Sequence, residues 1–140
     1  MNNIARRDVF VSFTAMLAGV MLPSLGLVAG QVSGSQVGGL LNILVPDIAA
    51  AGRLGRSYLA GHPAELDFQR LADGVLGSLR LPAAADAIDS PPESVLIARA
   101  RRVVVDDYVA GRVVDIDGWV LSITEARLYA LAALGDHNLR

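Results

Sequence analysis

V-V-D-I-D-G-W-V-L-S-I-T-E-A-R-L-Y-A-L, residues 113–131, decides how the second half of the chain folds. Its start, Val113-Val114-Asp115-Ile116, is a short β-branched run and predicts an extended segment. Asp117-Gly118 is a turn signal, and Trp119-Val120-Leu121 follows it. A small hairpin or an extended crossing segment fits. Ser122-Ile123-Thr124-Glu125 then has the serine and glutamate of a capping box, three residues apart. It predicts a helix through the run A-R-L-Y-A-L-A-A-L, closed at Gly135. Trp119, the single tryptophan, is expected to fill the core between the last two helices. Truncating it there would cost on the order of 3–5 kcal/mol. A partner-facing hot spot is the functional alternative.

The acids of this stretch invite two chemical readings. A calcium loop needs glycine at its sixth position and bidentate glutamate at its twelfth. Setting Gly118 sixth puts Val113 first and Thr124 last, and neither supplies the required ligand. A paired-carboxylate site needs two acids facing one cleft. Asp115 and Asp117 would share a strand face, but no substrate-binding motif accompanies them, and Glu125 already has a capping role. A small enzyme using Asp115 and Asp117 stays an alternative; solvated turn residues are the expectation.

Upstream, three more helices can be read. Asp47 is a good N-cap for a helix that Gly61 stops, with Ile48, Ala51, Leu54, Tyr58 and Leu59 near helical spacing. His62-Pro63 starts the next, with Glu65 favourable near its positive end. Leu66, Leu71, Val75 and Leu79 form its expected buried stripe, with Phe68 close by. Residues 81–89 read as a loop. Ser90-Pro91-Pro92-Glu93 predicts a second capping box, opening a helix that ends at Gly111.

Before Asp47 the chain changes character. Residues 31–46 look like a Gly/Ser-rich tether, with Leu40, Leu41, Ile43 and Leu44 in an apolar patch that could dock on the domain or on a partner. Residues 1–30 combine Arg6 and Arg7, an apolar run from Val9 and small residues at Val28-Ala29-Gly30. These are the parts of a secretory signal. Adjacent arginines before the run are similar to a twin-arginine signal, although Ala5 and Val9 depart from the usual flanking residues. An uncleaved anchor helix is the alternative, since about twenty apolar residues span a bilayer. Positive charge before the run places the remainder outside the cytoplasm in either case.

Composition narrows the functions. The chain has 140 residues, enough for one domain, and its net charge of −2 offers no general attraction to nucleic acid. It has no cysteine, which excludes thiolate metal sites and disulfides. All twelve basic residues are arginine. His62 and His137 are isolated, and neither belongs to an H-E-x-x-H arrangement. No G-x-S-x-G turn and no phosphate-cradling glycine loop occurs. Arg99, Arg101 and Arg102 form a basic cluster suited to an anion, but an Arg102–Asp106 ion pair within the helix accounts for it more simply.

The arginine pair with its apolar run, and the segments D-D-Y-V-A-G-R-V-V and D-G-W-V-L-S-I-T-E-A-R-L, resemble the small exported subunits of bacterial membrane-bound flavoprotein dehydrogenases. The resemblance covers the chain in outline. It implies a non-catalytic accessory protein that travels with a larger redox enzyme, and it carries over no catalytic residue. The expectation is therefore a mainly α domain at residues 47–135, of about four helices with one hairpin-like segment and a tail at residues 136–140. No cofactor or metal is expected. The expected place is the periplasm of a Gram-negative bacterium, or the inner membrane facing it. The expected partner is a larger exported protein, an oxidoreductase subunit, and a membrane-tethered structural protein is the alternative.

Overall fold

The computed structural model describes residues 31–83 and 90–138. The segment at residues 1–30, with Arg6 and Arg7, lies outside them. The described chain is mainly helical: α1 (Gly34–Leu44), α2 (Ile48–Gly61), α3 (Phe68–Ser78), α4 (Glu93–Val109), the hairpin β1 (Val113–Ile116) and β2 (Trp119–Ser122), and α5 (Ile123–Asn138). A mainly α body with one hairpin is the architecture the sequence predicts.

Helix α5 is the centre. It packs against α1, α2, α3, α4 and both strands. Ala126, Leu128, Ala130, Leu131, Ala132 and Ala133 are all buried, so it is apolar around most of its circumference, as a central helix must be. Its tightest neighbour is α2. The α2 face toward it is built from Ala51, Gly52 and Gly55, all buried. A Cβ placed on Gly55 would lie 2.0 Å from the Tyr129 carbonyl oxygen, so the two backbones meet where a side chain is missing. Of the residues read near helical spacing, Ala51, Tyr58 and Leu59 are buried, whereas Ile48 is exposed.

The segment expected to be a tether is folded. Ser33 caps α1 by accepting from the Gln36 N–H, and Val37, Leu40 and Leu41 are buried. Ile43 and Leu44 pack half-buried against the same core. Of the two docking places the patch allowed, the structure shows its own domain. Val32 is held ahead of the helix: its N–H donates to Gln69 Oε1 at 3.1 Å and its carbonyl accepts from Gln69 Nε2 at 3.0 Å. Among the described residues no single helix is long and apolar enough to cross a membrane; α1 and α2 reach that length and composition only together, bent by 111°.

Caps explain most boundaries. Asp47 accepts from the Ala50 N–H at 2.8 Å and starts α2 as predicted. The helix expected from His62 is split. Pro63–Glu65 make one 3-10 turn, and Asp67 then caps α3 by accepting from Arg70 N–H at 3.0 Å. The split leaves Leu66 exposed, while Leu71, Val75 and Leu79 are buried as expected. The box at Ser90–Glu93 does not form: α4 begins at Glu93, with no side-chain bond at its cap. Pro91 precedes Pro92, and a residue before proline is pushed out of the helical region. Pro92 itself is extended, at φ −52° and ψ 147°. Gly135 does not end α5, which runs on to Asn138 and takes up part of the expected tail. Left-handed φ would be needed for a stop there, and among the described glycines only Gly111 and Gly118 have it.

Candidate functional site

The quoted stretch folds into a junction between α4, the hairpin and α5. Helix α4 ends in a Schellman motif. Gly111, at φ 69°, donates to the Tyr108 carbonyl, and Arg112 N–H donates to the Asp107 carbonyl at 2.8 Å. The strands then pair antiparallel, Val113 with Ser122 and Ile116 with Trp119. Asp117 and Gly118 both have positive φ, 53° and 83°, the signature of a type I′ turn. Asp115 Oδ1 accepts from the Gly118 N–H at 3.0 Å and steadies that turn.

At the start of α5, the exposed N–H groups are each satisfied. Ile123 N–H donates to the Arg112 carbonyl at 3.0 Å. Thr124 N–H donates to Asp107 Oδ2 at 3.1 Å. Glu125 N–H donates to Ser122 Oγ at 3.1 Å, and Ser122 N–H returns a bond to Glu125 Oε2 at 2.9 Å. This is the predicted capping box, reinforced by a carboxylate from another helix.

Asp107 is the hub of the junction and was not singled out from the sequence. Only 2% of it is exposed. Besides the Thr124 N–H, its carboxylate accepts from the Thr124 hydroxyl at 2.6 Å and from Arg112 Nε at 2.8 Å. Burial acts to raise its pKa, but the hydrogen bonds from Thr124 and Arg112 win, and the carboxyl titrates below its ordinary range. In the sequence it is one of two adjacent aspartates, and nothing local says which of them turns inward.

A second polar cluster joins α2, the 3-10 turn and α5. Arg127 Nη2 and Nε donate to Glu65 at 2.6 Å and 3.1 Å, and Tyr58 OH donates to the same carboxylate at 2.7 Å. The Arg127 bonds hold Glu65 below its usual pKa against the opposing effect of burial. Burial, then the Glu65 carboxylate, pushes Tyr58 up to about 12. His62 stacks on the Tyr58 ring at 4.2 Å, and its Nδ1 lies 2.9 Å from the Tyr58 carbonyl oxygen. Glu65 and Arg127 are 62 residues apart, so no local pattern announces the pair.

The sequence-derived candidates thus separate. Asp115, Ser122 and Glu125 shape backbone. Asp117 sits exposed in the turn. Among the described residues no group of three or more His, Asp or Glu is placed to hold a metal ion. The His137 side chain lies outside the described residues. The Arg102–Asp106 ion pair is not formed: among the described residues the ion pairs are Arg112–Asp107 and Arg127–Glu65.

Trp119 departs most from expectation. It is 64% exposed, so it does not fill the core. Leu121 and Ile116 take the inward positions of the hairpin and are buried. Trp119 shares their face, but it sits beside the turn and is left exposed there. Val120 is exposed on the opposite face of the hairpin, and Val105, Tyr108 and Val109 are exposed on the last turns of α4. Tyr108 OH donates to the Val120 carbonyl at 2.9 Å, which ties the end of α4 to β2.

Comparison of the chain with family models, with curated proteins and with solved structures finds no match. What the fold and junction define is a small, mainly helical domain around one central helix. Its conspicuous polar groups organise backbone, and its exposed aromatic stands on a hairpin.

Proposed function

We propose that this chain is an exported, non-catalytic interaction subunit that docks a larger periplasmic oxidoreductase through the Trp119 face. The observation that carries the docking is a tryptophan 64% exposed beside the turn of a hairpin that the Tyr108–Val120 bond ties to α4. Solvent-facing indole and tyrosine rings on a rigid support are the composition of binding hot spots. Of the carboxylates in the quoted stretch, Glu125 joins Asp107 in holding the start of α5 and Asp115 holds the turn, while Asp117 lies exposed in it. Export rests on Arg6-Arg7 and the apolar run, and the oxidoreductase partner rests on the family resemblance. Val32, held by Gln69, stands next to the expected cleavage point before Gln31.

The test is affinity capture of the full chain from periplasm, with the wild type and Trp119→Ala in parallel. Stoichiometric recovery of a large oxidoreductase by the wild type, reduced at least tenfold in the variant, is the expected result. Equal recovery by both would remove the Trp119 face from the interface, and a monodisperse monomer with no partner would remove the subunit role. Mass spectrometry of the mature N-terminus completes it: a start near Gln31 fits cleaved export, whereas an intact Met1 favours the tethered alternative.

A further inference from the structure

The arginine cluster has a setting that its spacing does not convey. A cleft of about 640 Å³ opens between the end of α3, the side of α4 and the start of α5. Five arginines, Arg80, Arg99, Arg102, Arg112 and Arg127, are among its lining residues, against two aspartates, Asp106 and Asp107. This concentration of positive charge stands in a chain whose net charge is −2. Arg112 and Arg127 are held by Asp107 and Glu65. Arg80, Arg99 and Arg102 have no carboxylate at ion-pair distance among the described residues.

We propose that this cleft binds a small phosphorylated molecule through Arg80, Arg99 and Arg102. Planar guanidinium forks match the oxygens of a phosphate group, and several together are needed to replace its hydration. Arg99 and Arg102 lie one helical turn apart on the cleft side of α4, whereas Arg101 does not line the cleft. Arg99 Nη1 donates to the Arg80 carbonyl at 3.2 Å, so its fork is already oriented. Arg80 closes α3 in a second Schellman motif, with Leu81 N–H on the Leu76 carbonyl, and it does so at φ 55°. Glycine is the residue that fits such a position without strain. An arginine there keeps a guanidinium at the cleft at the expense of backbone energy, the pattern expected where a side chain has a task. Val103 and Ile123, both partly exposed, supply an apolar wall for the remainder of the ligand. Asp106, which forms no ion pair among the described residues, lines the same cleft and can accept from a hydroxyl of that ligand.

The experiment titrates the full chain, in mild detergent and a phosphate-free buffer of constant ionic strength, with inorganic phosphate and then pyrophosphate. Calorimetry and phosphorus NMR follow the binding. Saturable single-site binding is expected, tighter for pyrophosphate. Arg99→Gln and Arg102→Gln should each weaken it about tenfold or more, as loss of a charge-assisted bond requires. Arg101→Gln, on the same helix but outside the cleft, should leave it within about twofold, since it removes only screened long-range charge. Circular dichroism of each variant confirms that the fold is retained. No saturable binding up to about 10 mM would overturn the proposal. So would an equal loss from Arg101→Gln. A second arm uses phosphatidylcholine vesicles with and without phosphatidylglycerol. Arg99-dependent binding to the anionic vesicles without pyrophosphate binding would assign the phosphate to a lipid headgroup and overturn the small-molecule ligand.

Discussion

Asp107 holds two helices together with one carboxylate. Asp107→Ala would strip the α5 start of a cap and leave the buried Thr124 hydroxyl without its acceptor. A loss of about 2–3 kcal/mol in urea denaturation is expected. Asp107→Asn should lose less, because an amide oxygen still accepts from Thr124. The pH dependence has a definite sign. The folded-state pKa of Asp107 lies below its ordinary value, and so does that of Glu65. Their contribution is therefore complete above the unfolded carboxylate range, near pH 4, and is lost as pH falls through the lower folded values. An acid titration of stability should show a decline that flattens in the Asp107→Asn variant. Arg80 offers the opposite test. Arg80→Gly relieves a left-handed backbone at φ 55°. It should raise stability by about 0.5–1 kcal/mol, measured by thermal denaturation, while it weakens phosphate binding.

At the scale of elements, the α2–α5 contact and the hairpin are the places where one atom matters most. Gly55→Ala would drive a methyl group into the backbone of α5 at Tyr129. Backbone cannot yield as a flexible side chain does, so a loss of about 3 kcal/mol or more is expected, seen as a lower urea midpoint. Ser122→Ala removes one half of the capping box and should cost about 1 kcal/mol. These elements also show how far local reading reaches. The turn at Asp117-Gly118 and the box at Ser122–Glu125 were legible because their physics is complete within four residues. The box at Ser90–Glu93 has the same letters and fails, because two consecutive prolines hold the backbone extended. The helix at residues 34–44 was missed because its glycines and serines suit a flexible segment. Burial of Val37, Leu40 and Leu41 against α5 outweighs that propensity.

For the molecule as a whole, Trp119 separates folding from recognition. Buried, it would have been among the largest contributors to stability. Exposed, it is expected to matter little for folding: Trp119→Ala should leave thermal stability within about 1 kcal/mol, as other surface substitutions do. The same variant should lose partner affinity at least tenfold, so a stability change without an affinity change would contradict its proposed role. The phosphate cleft is a separate surface, lined by other residues, and its variants should leave partner capture intact.

The sequence by itself determined the helix class, the α2 cap, the hairpin turn and the capping box of α5, because each depends on backbone chemistry between near neighbours. Tertiary structure alone decided that Asp107 and not Asp106 turns inward, that Glu65 meets Arg127, that the Leu40–Leu41 patch joins the core and that Trp119 stays in solvent. Those outcomes depend on which surfaces meet after the helices assemble around α5. Contacts between residues far apart in the chain leave no periodic trace in it.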